Sequence, residues 1–576
     1  MTGPTAAHQD LHQLFADYWE FRLREDPLSA TIFYGDHRFD DALPRVSEAD
    51  YRRRQGDLQG FQQRLFTIET ALLSSEDATN YAIFALLLSN EIAEIGFRAY
   101  LMPVSRSSSF TDVFADLPHL VSLATVPDYE HYIARIAGFA DYAHAHIELM
   151  RIGIRDGYLP PRATLVGVDA ALRMQATDDP TASPLWQPFE HFPAGFAPED
   201  RDRLAGAGRT AIEESLLPGY RALLAFLHEE YLPAARDAIA ASSLPDGAAF
   251  YRHRIRMLTT LDLPPESIHE TGLAEVGRIR AEMEAVIRKT GFTGSFAEFV
   301  TFLRTDDRFY VATPEALLKE VAYVLKRMDG ELPTLFQTLP RTPYGIRPVP
   351  ADSAPNTTTA YYMPPAGDGG RAGFYYVNTY DLRSRPLYEV EALSLHEAVP
   401  GHHLQIALQQ ELGDVPAFRR FEFFTAYVEG WGLYAERLGL EVGFYQDPYS
   451  DFGRLSYEMW RACRLVVDTG MHALGWTRQQ AIDFMAEHTA LTLLNIENEV
   501  DRYIAWPGQA LAYKLGELTI RRLRAEAEQS LGSHFDLRAF HDIVLRSGPV
   551  PLEVLQTNVR AWIAQQYSAL HSGTLE

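Results

Sequence analysis

Several classes of protein are excluded by what this sequence lacks. It has one cysteine, Cys463, in 576 residues. An internal disulfide and a thiolate metal cluster are therefore both ruled out. Cys463 sits within Trp460-Arg461-Ala462-Cys463-Arg464-Leu465 and reads as a small core residue rather than a nucleophile. Basic charge is also scarce: 52 Lys and Arg face 77 Asp and Glu, a formal charge of −25 at pH 7. Nucleic acid and anionic lipid surfaces are bound by clustered cations, so neither is an expected partner. No apolar run is long enough to span a bilayer. The first ten residues lack the basic start and apolar core of a secretory signal, so the expected location is the cytoplasm. Internal repeats and low-complexity tracts are missing as well.

What remains is ordinary globular composition, 47% hydrophobic and 22% charged, on a chain too long for one typical domain. Residues 8 to 155 pattern as successive amphipathic helices, with Leu14, Tyr18, Phe21 and Leu23 on one stripe. Prolines crowd the stretch from about 156 to 207 and predict loop. Helical pattern returns at 208, and Pro264-Pro265-Glu266-Ser267 opens one helix. His269-Glu270, near its start, reads as a solvated helix beginning. Thr357 to Met363 and Gly373 to Asn378 are rich in β-branched and aromatic residues around the Gly-rich turn 364–370, which predicts a β-hairpin. The expected fold is mainly α with that small hairpin or sheet. The expected division is an N-terminal helical lobe, 1–207, and a second lobe, 208–576, carrying the hairpin and the reactive residues.

The densest chemistry lies in His396-Glu397-Ala398-Val399-Pro400-Gly401-His402-His403-Leu404-Gln405. Imidazoles are common zinc ligands, and a Glu beside one can take a proton from metal-activated water. Two other His-Glu pairs, His228-Glu229 and His269-Glu270, have no histidine in the next turn. Zinc-binding helices usually space the histidines four apart, on one face. Here the fourth position is Pro400. On a straight helix a six-residue step lands about 240° away, and a seven-residue step rises roughly 10 Å. Neither suits one ion. Pro400-Gly401 must therefore break the helix, so that His396 ends one piece and His402 begins another. His402 is the expected second ligand. His403 then points away, to orient a ligand or meet substrate; a different break would make it the ligand instead.

A third ligand is expected from a neighbouring helix. Phe421, Phe424, Val428, Trp431, Tyr434 and Leu438 form an apolar stripe over 421–438, with Thr425, Glu429, Gly432 and Glu436 on a second face. Gly430 and Gly432 would cost an exposed helix about 1 kcal/mol each, which points to close approach by another element. Glu429, among so many aromatics, needs a partner. A metal ion and a buried ion pair both satisfy it. Glu436, two turns on, is placed to orient a ligand histidine.

Taken together, several segments resemble the bacterial family known as domain of unknown function 885. They are Ser267 to Leu273, Gly373 to Asn378, His396 to Gln405, Glu429 to Glu436, Asp468 to His472 and Arg502 to Ala510. That family is similar in turn to the gluzincin zinc peptidases, notably the thermostable metallocarboxypeptidases and the angiotensin-converting-enzyme group. The resemblance implies a two-lobed helical fold around a deep groove, with Zn2+ (or Co2+ or Mn2+) held by His396, His402 and Glu429. Two extra residues between the histidines depart from the gluzincin pattern.

The resulting expectation is a zinc-dependent, carboxypeptidase-like hydrolase of short peptides. Glu397 serves as general base and then acid. By similarity to the gluzincin tyrosine, Tyr503 is the oxyanion donor, with Tyr513 as the alternative. Arg502, ahead of Arg461 and Arg464, is placed to clamp a substrate carboxylate. His472 and Asn378 are expected in the groove, and the strand from Gly373 to Asn378 is expected to pair its edge with peptide backbone. An oligopeptidase or dipeptidase on the same scaffold, a hydrolase of other amides, and a helical metal- or peptide-binding protein without turnover are the competing readings. A homodimer is compatible with all of them.

Overall fold

Proline placement organises much of the first half of the chain. The computed structural model describes residues 6–350, 354, 357–365, 372–413 and 415–572. These are mainly helical, as expected, and they separate into two compact units. The first comprises Met1–His253 with Ile504–Trp506, and the second Arg254–Tyr503 with Pro507–Glu576.

In the first unit, helix α1 (Ala6–Glu25) buries Leu11, Leu14, Phe15, Tyr18 and Leu23. Helix α2 (Ser75–Gly96) starts where the Ser74 side chain accepts the Asp77 backbone N–H, and it buries Ile83, Phe84, Leu87 and Leu88. Phe15 and Tyr18 meet Phe84 edge-on at 5.0 and 4.9 Å. The proline-dense stretch is not a linker. Pro180, Pro184, Pro188 and Pro198 each stand in the first turn of a short helical piece, where a missing N–H costs nothing. Leu185, Phe189 and Leu204 from this stretch share one core with Ile212, Leu216, Tyr220, Leu223 and Tyr231. The boundary expected at 207/208 therefore falls inside the first unit.

The second unit contains helix α3 (Pro265–Lys289) and strands β1 (Tyr344–Pro348), β2 (Ala360–Met363) and β3 (Gly373–Val377). Among the helices that follow are α4 (Leu387–Glu397), α5 (His402–Gln410), α6 (Thr425–Leu438), α7 (Pro448–His472), α8 (Leu493–Ala505, its last two residues counted with the first unit) and α9 (Ala512–Leu531). Helix α7 is the core element: every residue from Phe452 to His472 is buried. Its charges are matched from outside. Lys514 of α9, itself fully buried, reaches Glu458 at 2.8 Å and Glu275 and Glu517 at 3.0 Å. His269 is no solvated helix start. It binds α3 to α7, with Nδ1–H directed at the Val466 carbonyl (3.1 Å) and the Thr469 hydroxyl (2.9 Å).

The small sheet has the order β1-β3-β2. β2 and β3 pair antiparallel, Ala360 opposite Val377, as the hairpin pattern predicts; residues 366–371 of its turn lie outside the described residues. β1 pairs parallel to the other side of β3, Tyr344 opposite Gly373. Its glycine and terminal proline hid it from propensity. Since β3 is the central strand, the expected pairing of substrate along the Gly373 to Asn378 edge is overturned: both edges are taken.

Candidate metal centre

The break after Glu397 is tight. Ala398 leaves the helical region (φ −106°, ψ −102°), the Val399-Pro400 peptide is cis, and Gly401 (φ −77°, ψ −126°) leads into α5. Gly401 lies directly against the last carbonyls of α4, those of Leu395 and His396, where any Cβ would collide. The His403 N–H donates to the Ala398 carbonyl at 3.0 Å, and the Trp431 indole N–H donates to Pro400 O at 2.8 Å. The four-residue excursion is thereby tied at both ends, and it returns His402 to the side of His396.

Their rings stand nearly perpendicular (87°) with centroids 4.7 Å apart. Glu429 of α6 completes the group. Its Oε2 is 3.6 Å from His396 Nε2 and 3.5 Å from His402 Nε2, and the ligand atoms all fall within 4.8 Å of one another. N–H···O hydrogen bonds cluster at about 2.7–3.2 Å. Ligands about 2.0–2.1 Å from one tetrahedral ion stand roughly 3.4 Å apart. The observed spacing is that of atoms arranged around a cation rather than bonded to each other. Gly432, one turn on from Glu429, lies beneath the His396 ring; a Cβ there would come 2.8 Å from its atoms. Gly430 meets the backbone of Gly516 on α9, so both glycines mark close approach.

Electrostatics at the trio call for positive charge. Burial alone would push the His396 imidazole down, but Glu429 and Glu436 more than reverse this and lift it to about 9. Burial would likewise raise the Glu429 carboxyl, and the two imidazoles instead hold it well below the usual carboxylate range. Glu436, 1% exposed, accepts from His396 Nδ1–H at 2.8 Å. That bond orients the ring and leaves Nε2 facing Glu429. Glu397 follows His396 and is half-buried, and no hydrogen bond or ion pair joins it to a described residue.

Other expected site residues are engaged elsewhere. His403 is buried, its Nε2–H donates to Thr342 O (3.1 Å), and its Nδ1 accepts from the Tyr362 hydroxyl (2.8 Å). With both nitrogens used it is not a ligand, and burial pulls its pKa to about 4. Tyr503 does not offer its hydroxyl to a substrate. It accepts from Trp460 Nε1–H (2.9 Å) and Arg464 Nε–H (2.7 Å) and gives its one proton to Glu499 (2.7 Å). Arg502 is likewise committed, to Glu499 and Gln509 at 2.8 Å each. His472 is fully buried and its Nε2–H donates to Tyr503 O at 3.0 Å. Asn378, also fully buried, ties the carbonyls of Ala354, Thr357 and Thr358 and the Tyr380 N–H. These two brace loops and do not reach substrate.

A bacterial protein family of unknown function, DUF885, matches residues 27–559. The chain belongs to the DUF885 family. Solved structures resemble this DUF885 protein, two of them described as lipoproteins. A "putative lipoprotein" from Colwellia psychrerythraea is 29% identical, with a TM-score of 0.91 over 97% of this chain and 100% of its own. A "putative lipoprotein of unknown function" from Shewanella oneidensis is 19% identical and shares the fold, with a TM-score of 0.74 over 95% of this chain and 99% of its own. No curated protein matches. The lipoprotein descriptions of both relatives overturn the expected cytoplasmic location. Among the described residues, no helix is long and apolar enough to cross a membrane.

In this DUF885 chain the groups still available near the trio are ones that the sequence ranked second. Tyr513, half-buried on α9, has its phenol pushed up by burial and by the charge of Glu429. Arg461 and Arg464 of α7 flank its ring, at 5.8 and 4.5 Å. Arg461 Nε and Arg464 Nη1 are buried and carry no hydrogen-bond partner. Their three-residue spacing from each other along one helix was readable, but which of their donors stay spare depends on the pairing of Glu499.

Proposed function

We propose that the chain is a divalent-metal-dependent hydrolase of peptide bonds, most simply a zinc carboxypeptidase of short peptides, related in its chemistry to the gluzincins. One observation carries the reading: two imidazoles, brought to one side by the break at Pro400-Gly401, each stand 3.5–3.6 Å from a single carboxylate. The donor set, two neutral nitrogens and one carboxylate, suits Zn2+, with Co2+ or Mn2+ as substitutes. When bound, such an ion supplies Lewis acidity that activates water and polarises a carbonyl.

The remaining work falls to this chain's own side chains. Glu397, next to His396 and uncommitted, accepts the proton of the attacking water at its carboxylate and returns it to the leaving amine. Glu436 keeps the His396 ring oriented. Tyr513 feels the charge of Glu429, and its raised phenol retains its proton at neutral pH, as a hydrogen-bond donor to an oxyanion must. The spare N–H groups of Arg461 and Arg464 would receive the terminal carboxylate of a peptide, a charge-assisted contact that selects exopeptidase cleavage.

The test is mass spectrometry of a defined peptide library incubated with zinc-loaded wild-type chain and with Glu397→Gln. Single C-terminal losses that disappear in the variant, at unchanged zinc content, support the reading; internal cuts would make the protein an oligopeptidase. Equal cleavage by the two proteins would remove Glu397 from the mechanism. A His396→Ala variant holding as much zinc as wild type would remove the metal site.

A further inference from the structure

The first unit holds a separate cluster with ligand chemistry. Helix α1 carries His8-Gln9-Asp10-Leu11-His12, an unbroken four-residue spacing that sets both imidazoles on one face. Asp77, in the first turn of α2, faces them. His8 Nδ1 is 2.7 Å from one carboxylate oxygen and His12 Nε2 is 2.8 Å from the other. The two rings lie 4.1 Å apart at 35°. The Asp77 side chain is only 6% exposed, while those of His8 and His12 are 39% and 37% exposed. Among the described residues no lysine or arginine pairs with Asp77, so the two imidazoles are what balances a nearly buried carboxylate.

We propose that His8, His12 and Asp77 form a transition-metal site that fastens α1 to α2. It stands independently of the reading given to His396, His402 and Glu429. Each imidazole now directs an N–H at Asp77 from the nitrogen that would ligate. On binding, a neutral ring moves that proton to its other nitrogen, and a protonated ring releases it. The ion then replaces two hydrogen bonds with three coordinate bonds. Ligand atoms at 2.7–2.8 Å need to part by roughly 0.6 Å to stand around one ion, a shift within reach of half-exposed histidines. Two imidazoles select Zn2+, Ni2+ or Cu2+ over Mg2+ or Ca2+. The solvent-facing side of the histidines leaves room for water as the remaining ligands.

The test uses the full chain with His396→Ala and His402→Ala, so that only this cluster can report. Zinc is titrated by calorimetry, and melting is followed with and without zinc. One ion per chain is expected, with Tm raised by about 2 °C when free zinc exceeds Kd a hundredfold. Adding His8→Ala should weaken binding at least roughly tenfold and abolish the shift. Bound Cu2+ should show hyperfine coupling to two imidazole nitrogens, lost stepwise in His8→Ala and His12→Ala. If the background variant does not fold, the zinc content of the otherwise wild-type chain should fall by one ion on His8→Ala. No zinc uptake by the folded background variant, or uptake indifferent to His8→Ala and His12→Ala, would reduce the cluster to a hydrogen-bonded clamp and overturn the proposal.

Discussion

Replacing Glu436 with Gln tests the proposed metal centre without touching a proposed ligand. The side chain is 1% exposed and isosteric with its replacement, so packing is preserved. Its Oε1 accepts from His396 Nδ1–H at 2.8 Å, and an amide oxygen can still do so. What disappears is a buried negative charge that makes His396 a better donor and holds its ring in place; Arg461, 3.8 Å away, then loses its counter-charge and opposes a cation nearby. Loss of a carboxylate partner behind a ligand histidine lowers metal affinity about 10- to 100-fold, or roughly 1.4–2.8 kcal/mol. Competition against a chromogenic chelator measures this directly. Glu436→Gln should bind zinc within that range more weakly than wild type, and His403→Gln, whose parent nitrogens are spent on Thr342 and Tyr362, should keep the wild-type stoichiometry. Equal zinc affinity in Glu436→Gln and wild type would refute the argument that Glu436 orients a metal ligand.

Three further outcomes follow from the same geometry. Gly432→Ala places a Cβ 2.8 Å from the His396 ring. It should cost about 1–3 kcal/mol of stability and most zinc binding, although alanine favours an isolated helix; a variant that melts higher with full zinc content would contradict it. Lys514→Met removes the buried cation shared by Glu275, Glu458 and Glu517, leaving them to Arg278, Arg454 and Arg521, and should destabilise the second unit by about 1–3 kcal/mol in urea titration. Burial holds His146, His403 and His541 neutral, with pKa values lowered to about 3, 4 and 3. Below about pH 6.5 the unfolded chain takes protons that the folded one refuses, so stability should fall as pH drops from 6.5 towards those values, by up to about 1.4 kcal/mol per pH unit for each. Denaturant midpoints that coincide at pH 7 and pH 5 would count against it.

Some of this was readable along the chain because it rests on local chemistry. Helical periodicity, the β2/β3 hairpin and the need for a break at Pro400-Gly401 all follow from neighbouring residues. Glu429 could be narrowed to ligand or ion-pair member by its aromatic surroundings. β1 was not readable, because Tyr344 to Pro348 carries a glycine and a proline and becomes a strand only through pairing with β3. Nor did the first unit's extent show, since proline density looks the same in a linker and in short, buried helical turns. His8 and His12 stand four residues apart, but only Asp77, 65 residues beyond His12, turns them into a cluster, and they were not singled out from the sequence.

The residues by themselves pointed to a third ligand, acidic or histidine, from another helix, because one segment cannot surround an ion. They could not decide which tyrosine and which arginine stay free. Tyr503 and Tyr513, and Arg502 and Arg464, are equivalent as residue types. Long-range packing places Glu499 against Arg464, Arg502 and Tyr503 at once, so that single carboxylate takes the Tyr503 proton and one donor from each arginine, and only Nη1 of Arg464 stays spare. Hydrogen-bond capacity is finite and shared across elements distant in sequence, so its allocation is a property of the tertiary structure.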